Sequence, residues 1–433
     1  MKAVVIPVAT APAAPAVSAG VDAGWRWRLL LLAPHRLGFF LGMVVLAAAG
    51  LWWAAVQLGR LGWLPPIGFA VSPSLLHAAV MVFGFIPLYF SGFLFTAGPR
   101  WLGVEGPATR DVAPMLVVQA VGWLAWLAGG HLHETLARAG LLLAGGGLAA
   151  VTFTFSRLLR ASDAPDRMHA TCICIALAFG SLCLLALPVA LWLDAGEAQR
   201  GLVLGGLWGF VVVVYVTVAH RMIPFFTSSA VPMVQAWRPS WVLWLMLGVA
   251  VFEAAAAWTD AFGFAHPNWM LLRGAVELAA GATVLWLALA WGLVQSLRVR
   301  LLGMLHLGFS WLGLGLVLGG VSHLLQGLLG EPVLPLAALH AVTMGSLGSL
   351  LLAMVTRVSC GHSGRPLVAD GFIWSLFLCL QAATVLRIAA TAAGGWTQAV
   401  LAAAALLWAG AMLAWAARLG NWYGRPRHDG RPG

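Results

Sequence analysis

Apolar runs of about 20 residues, separated by short clusters of Arg, Asp, Pro and Gly, recur along nearly the whole chain. A run of that length makes a helix that crosses a hydrocarbon core of about 30 Å, and a helix satisfies its own backbone hydrogen bonds where water is absent. The pattern predicts twelve spans, at about 36–59, 73–98, 111–130, 135–158, 169–193, 201–220, 239–260, 269–295, 302–327, 335–356, 367–391 and 396–418. The expected fold is an all-α polytopic membrane protein with twelve transmembrane helices. Ahead of them, MKAVVIPVATAPAAPAVSAG is interrupted by Pro7, Pro12 and Pro15. That breaks the continuous apolar stretch of a cleaved signal peptide, so residues 1–35 are expected to be a disordered cytoplasmic tail. Residues 419–433 read as a basic tail, and no soluble domain is expected.

Composition agrees and narrows the class. Charged side chains are 9% of the chain, against about 25% in a soluble domain. A net charge of +10 raises the question of nucleic acid, but it is arginine scattered at span ends, with Lys2 the only lysine, so no nucleic-acid partner is expected. Of the 24 basic residues, five (Arg60, Arg138, Arg200, Arg273 and Arg387) fall on one side of the predicted topology and the other nineteen on the opposite side. The basic side is the cytoplasmic one, so both termini are expected in the cytoplasm. Trp63, Trp101, Trp192, Trp237 and Trp396 near span ends suit an interfacial belt. Gly315 and Gly319 permit close helix packing, and Pro87 and Pro188 predict kinks. Five cysteines without an extramembrane framework read as packing residues.

The twelve histidines carry the candidate chemistry. LHAAVM at 76–81 and LHAVTM at 339–344 place His77 and His340 in the same frame, each near the outer end of its span, with Met81 or Met344 one turn deeper. An imidazole in a lipid-embedded helix is costly unless paired or ligated, and histidine is a common axial ligand of haem iron. A haem between spans 2 and 10, held by His77 and His340, would explain the repeated frame. Arg273 and Arg387, in the outer half, are candidate partners for its propionates, and His323 is a reserve ligand. The alternative is that each histidine bonds a neighbouring carbonyl, and that Arg273 pairs with Glu277 four residues on. At the cytoplasmic side His169 opens span 5, His220 closes span 6, His306 starts span 9 and His362 lies in a loop. These four are candidate copper ligands, or solvated helix-end residues. His131 and His133 stand two apart in an outer loop, a weak chelate pattern. Nucleotide-binding and hydrolase signatures are missing from the sequence, so any chemistry would come from a cofactor.

Three separated blocks resemble the NnrS family: HAAVMVFGFIPLYFSGFLFTAGPRWLG (77–103), HRMIPFFTSSA (220–230) and LHAVTMGSLGSLLLAMVTRVSCGHSGR (339–365). The resemblance implies a twelve-helix protein of the bacterial inner membrane that contains haem, expected as haem b, and copper, and that takes part in the response to nitric oxide in denitrifying or nitrosative-stress settings. The family's histidines carried over by position are His77, His340 and His362. Many members continue the first block as H-A-H-E-M, whereas here Ala79 and Val80 replace the second histidine and the glutamate. That puts copper in doubt. A haem between spans 2 and 10 also resembles the haem–copper oxidases, but span 7 holds no histidine, so no oxygen or nitric oxide reduction is assigned. The competing class is a twelve-helix secondary transporter with structural histidines, in which Glu253, Asp260 and Glu277 are candidate coupling sites. Duplicated transporters usually relate span 2 to span 8, not to span 10.

Overall fold

The computed structural model describes residues 24–231, 234–264 and 266–430. The Ala- and Pro-rich tail up to residue 23, including Lys2, lies outside these, as does Arg431. Twelve helices long and apolar enough to cross a membrane are present: span 1 Pro34–Arg60, span 2 Pro73–Leu102, span 3 Thr109–Leu132, span 4 Glu134–Arg160, span 5 Met168–Trp192, span 6 Gly196–Ala230, span 7 Ser240–Ala261, span 8 Pro267–Ala290, span 9 Arg300–Leu329, span 10 Ala337–His362, span 11 Gly371–Ala392 and span 12 Gly394–Tyr423. The described residues contain no strand. Within the expected tail, Trp27–Leu32 forms a 3-10 helix that buries Leu30.

An even number of spans returns the chain to its starting face, and here the two ends touch. Arg26 N–H donates to the Gly424 carbonyl at 2.7 Å, and Arg36 Nη1 donates to the Tyr423 and Arg425 carbonyls. The face that carries these ends is the Arg-rich one.

Spans 2, 6, 9 and 10 are the most buried and form the centre of the bundle. Spans 3 and 4, and spans 8 and 9, pack as close antiparallel pairs. Glycine makes this approach possible: a Cβ on Gly122 would lie 2.6 Å from the Gly140 carbonyl, and one on Gly281 would lie 2.7 Å from the Gly313 carbonyl. Gly315 does the same between spans 9 and 10, where a Cβ would meet Val342 at 2.6 Å. Trp63, Trp192 and Trp396 are exposed at span ends, as a belt requires.

Spans 2, 6 and 10 each contain a π-helical turn, at Val80–Gly84, Leu207–Val212 and Ala341–Gly348. In span 2 the turn ends just before Pro87, whose missing N–H leaves the Phe83 carbonyl without its helical donor. Two sequence-derived boundaries are corrected. Span 6 continues ten residues past His220, so His220 is inside the helix, and His362 is the last residue of span 10 and not in a loop. Both extensions follow apolar residues, Ile223, Phe225 and Phe226 in one case and Val358 in the other.

Candidate functional site

The repeated sequence frame is also a repeated structural frame. His77 sits in the last turn of α-helix before the Val80–Gly84 π turn, and His340 is the residue directly before the Ala341–Gly348 π turn. A π turn widens a helix and shifts the register of the residues beyond it, and such turns are frequent at functional sites. The two imidazoles lie close enough for His340 and Arg387 to act electrostatically on His77. Both side chains are half-buried although they stand deep within the protein mass, so each keeps surface that neighbouring atoms do not cover.

Each ring is held by a different support. His77 stacks on Trp53 of span 1, with ring centroids 3.9 Å apart and an angle of 16°. Its Nδ1 is buried without a hydrogen-bond partner. The His340 Nδ1 is 2.9 Å from the Leu336 carbonyl. A carbonyl only accepts, so Nδ1 carries the proton and Nε2 presents a bare lone pair, the form that ligates a metal. Leu336 has a left-handed backbone, φ 66°, and Leu334 likewise, φ 51°. For a residue with a Cβ this costs about 1–2 kcal/mol, and the strained turn aims the carbonyl that orients His340.

Of the accessory residues, Arg387 belongs here. It acts on both His77 and His340 and has no carboxylate partner among the described residues. Arg273 does not belong here. Its three nitrogens are taken by Glu277, Asp260 and Glu253, so it is no free partner for a propionate. His323 is bonded to Glu277, Nδ1 to Oε2 at 2.6 Å, which removes it as a reserve ligand of the His77–His340 pair. His131 and His133 do not converge: His131 bridges the Gly68 carbonyl and the Trp52 indole, while His133 caps span 4 at Thr135.

A family model described as NnrS protein matches residues 29–427. The chain belongs to the NnrS family. No curated protein matches the chain.

At the Arg-rich end of this NnrS-family bundle the four candidate copper ligands are dispersed. His169 Nε2 is 3.1 Å from His220 Nδ1, and His220 Nε2 is 3.2 Å from the Pro239 carbonyl. Because the carbonyl accepts, His220 donates from Nε2 and accepts at Nδ1 from His169. His306 Nε2 bonds the Thr227 hydroxyl at 2.8 Å. His362 instead lies against His35 in a tilted ring contact, centroids 4.2 Å apart, a pairing that sequence reasoning missed. His35 lies in the N-terminal turn of span 1, where its only signal was that it follows Pro34 directly. Among the described residues no three His, Cys, Asp or Glu side chains converge as a metal-binding group.

Proposed function

We propose that this NnrS-family protein is a haem-binding protein of the bacterial inner membrane that serves the response to nitric oxide, with both termini cytoplasmic and with His77 and His340 as the residues that would hold the haem. The observation that carries the reading is the pair itself: two imidazoles from spans 2 and 10, in one sequence frame, each at a π turn, within electrostatic reach of one another. Neither Nε2 makes a hydrogen bond among the described residues, and His340 is in the tautomer that ligates. Arg387 supplies a positive charge beside both rings, suited to a propionate. Family membership supports the link to nitric oxide, and the nineteen-to-five bias of basic residues supports the orientation.

When bound, haem iron supplies one-electron chemistry and affinity for a diatomic gas. The chain's own contribution is to orient two lone pairs, to wall the site with Trp53 and to neutralise carboxylates with Arg387. Copper has weaker support. His306 and His362 are held elsewhere, which leaves His169 and His220 as the two of these four imidazoles in mutual contact.

The test is spectroscopic. Protein purified in detergent should show a Soret band and sharp α and β bands on reduction, and His77→Ala or His340→Ala should abolish them. Haem retained at wild-type stoichiometry in both variants would sink the reading. Metal analysis of the same sample decides copper.

A further inference from the structure

Spans 7, 8 and 9 assemble a second buried polar cluster at the Arg-poor end. Arg273 is its centre: Nε donates to Glu277 at 3.0 Å, Nη1 to Asp260 at 2.5 Å and Nη2 to Glu253 at 2.8 Å. His323 bonds the second oxygen of Glu277. Glu253 is 2% exposed and Glu277 3%. Gly319 leaves the space that Glu277 occupies, since a Cβ there would lie 3.1 Å from Oε2. The groups acting on Glu253 are Arg273 and Glu277, and those acting on Arg273 are Glu253, Glu277 and Asp260.

The charges do not balance. Three carboxylates face one guanidinium, which leaves two negative charges; a protonated His323 removes one and leaves the other. An uncompensated charge in a water-poor interior is strongly disfavoured and takes up a proton instead. Two further observations locate that proton. Glu253 Oε1 is buried with no hydrogen-bond partner, as is Asp260 Oδ1. Glu253 and Glu277 also accept from Nη2 and Nε of one guanidinium, which holds two carboxyl groups beside the same cation, where like charges favour sharing a proton.

We propose that this cluster is a proton-binding site: a proton is shared between Glu253 and Glu277 and exchanges with the aqueous phase at the Arg-poor end through Asp260. The side chain of Asp260 is 25% exposed and lies seven residues from Glu253 on the same helical face. On release, the O–H bond at Glu253 breaks, the proton passes to the Asp260 carboxylate and then to water, and Arg273 holds the charge left behind. A metal cation is not the occupant, because the guanidinium fills the centre of the carboxylate ring. The site gives the protein a means of coupling charge movement in the bundle to proton uptake or release.

Infrared spectroscopy of the full chain in lipid nanodiscs at neutral pH tests this independently of haem. The wild type should show the C=O stretch of a buried carboxylic acid, shifted in D2O. Glu253→Gln should weaken or abolish it. Absence of the band in the wild type, persistence at full strength in Glu253→Gln, or displacement by Na+ at constant pH would each overturn the proposal. A colourless preparation leaves this test intact, so its failure is distinguishable from failure of the haem reading.

Discussion

The two ends of the bundle both bring together histidines from different helices, yet they brace the rings differently. At the Arg-rich end imidazoles contact one another: His169 bonds His220, whose other nitrogen goes to the Pro239 carbonyl, and His35 lies against His362 in a tilted contact, while His169 Nδ1 keeps no partner. At the Arg-poor end His77 and His340 are braced by other groups, an indole and a carbonyl, and each keeps Nε2 free. Residue type is the same at both ends, so chemical availability is decided by what supports the ring. At His340 the brace uses Nδ1 and at His77 a ring face, so Nε2 stays open at both, whereas at His220 both nitrogens are spent, one of them on a second imidazole.

The largest test of this contrast is a pair of substitutions read by absorption. His340→Ala should remove the haem spectrum entirely, whereas His220→Ala should leave haem stoichiometry unchanged. Equal bleaching in both would erase the distinction between the ends. On stability the order reverses. His220→Ala strands the His169 Nε2 proton, while the Pro239 carbonyl keeps the Val242 N–H, and leaving a buried polar group unpaired costs about 1–3 kcal/mol. In haem-free protein His77→Ala loses no hydrogen bond, only the stack on Trp53, worth about 0.5–1.5 kcal/mol. Thermal unfolding of both variants without haem should therefore show the larger drop for His220→Ala.

A smaller effect probes the brace on His340. Leu336 has a left-handed backbone and an exposed side chain, so Leu336→Gly should relieve strain and raise stability by up to about 1 kcal/mol. Haem binding should survive, because the carbonyl that orients His340 belongs to the backbone. Loss of haem in Leu336→Gly would show that the side chain, not the carbonyl, holds the site.

The smallest effect lies outside the spans. Arg418 hydrogen-bonds both oxygens of Asp370 and holds its carboxyl below the usual aspartate range, while Asp370 also caps span 11 at the Ile373 N–H. A depressed carboxyl stabilises the fold above its unfolded-state pKa and loses that contribution as pH falls through the folded value. With Asp370 about half exposed the pair is worth at most about 1 kcal/mol. Arg418→Gln should therefore leave stability at neutral pH nearly unchanged and flatten its decline in acid; an unchanged acid limb would show that Asp370 contributes nothing to it.

Much of the fold was legible because lipid makes one demand on every residue of a span. Twelve apolar runs of sufficient length mean twelve helices whatever their neighbours, and the even count that brings Arg26 to Gly424 comes from the same arithmetic. Span ends were less legible. An apolar stretch such as Ile223–Phe226 continues a helix, but arginine and histidine in HRMIPFF read as an interface.

The site was legible in part, for a related reason. The frame shared by LHAAVM and LHAVTM marked His77 and His340 because a repeated local motif is written in consecutive residues. Glu277 at i,i+4 was the local sign that set Arg273, which has three carboxylate partners, apart from Arg387, which has none among the described residues, while Glu253 and Asp260 arrive from another helix. The pairing of His35 with His362 was likewise unreadable, since it joins the first span to the tenth. Hydropathy and helical period act through neighbours along the chain, so sequence determined the spans, their number and the identity of the buried polar groups. Which of those groups neutralise each other and which remain free depends on distances across helices, and only the tertiary packing decided that.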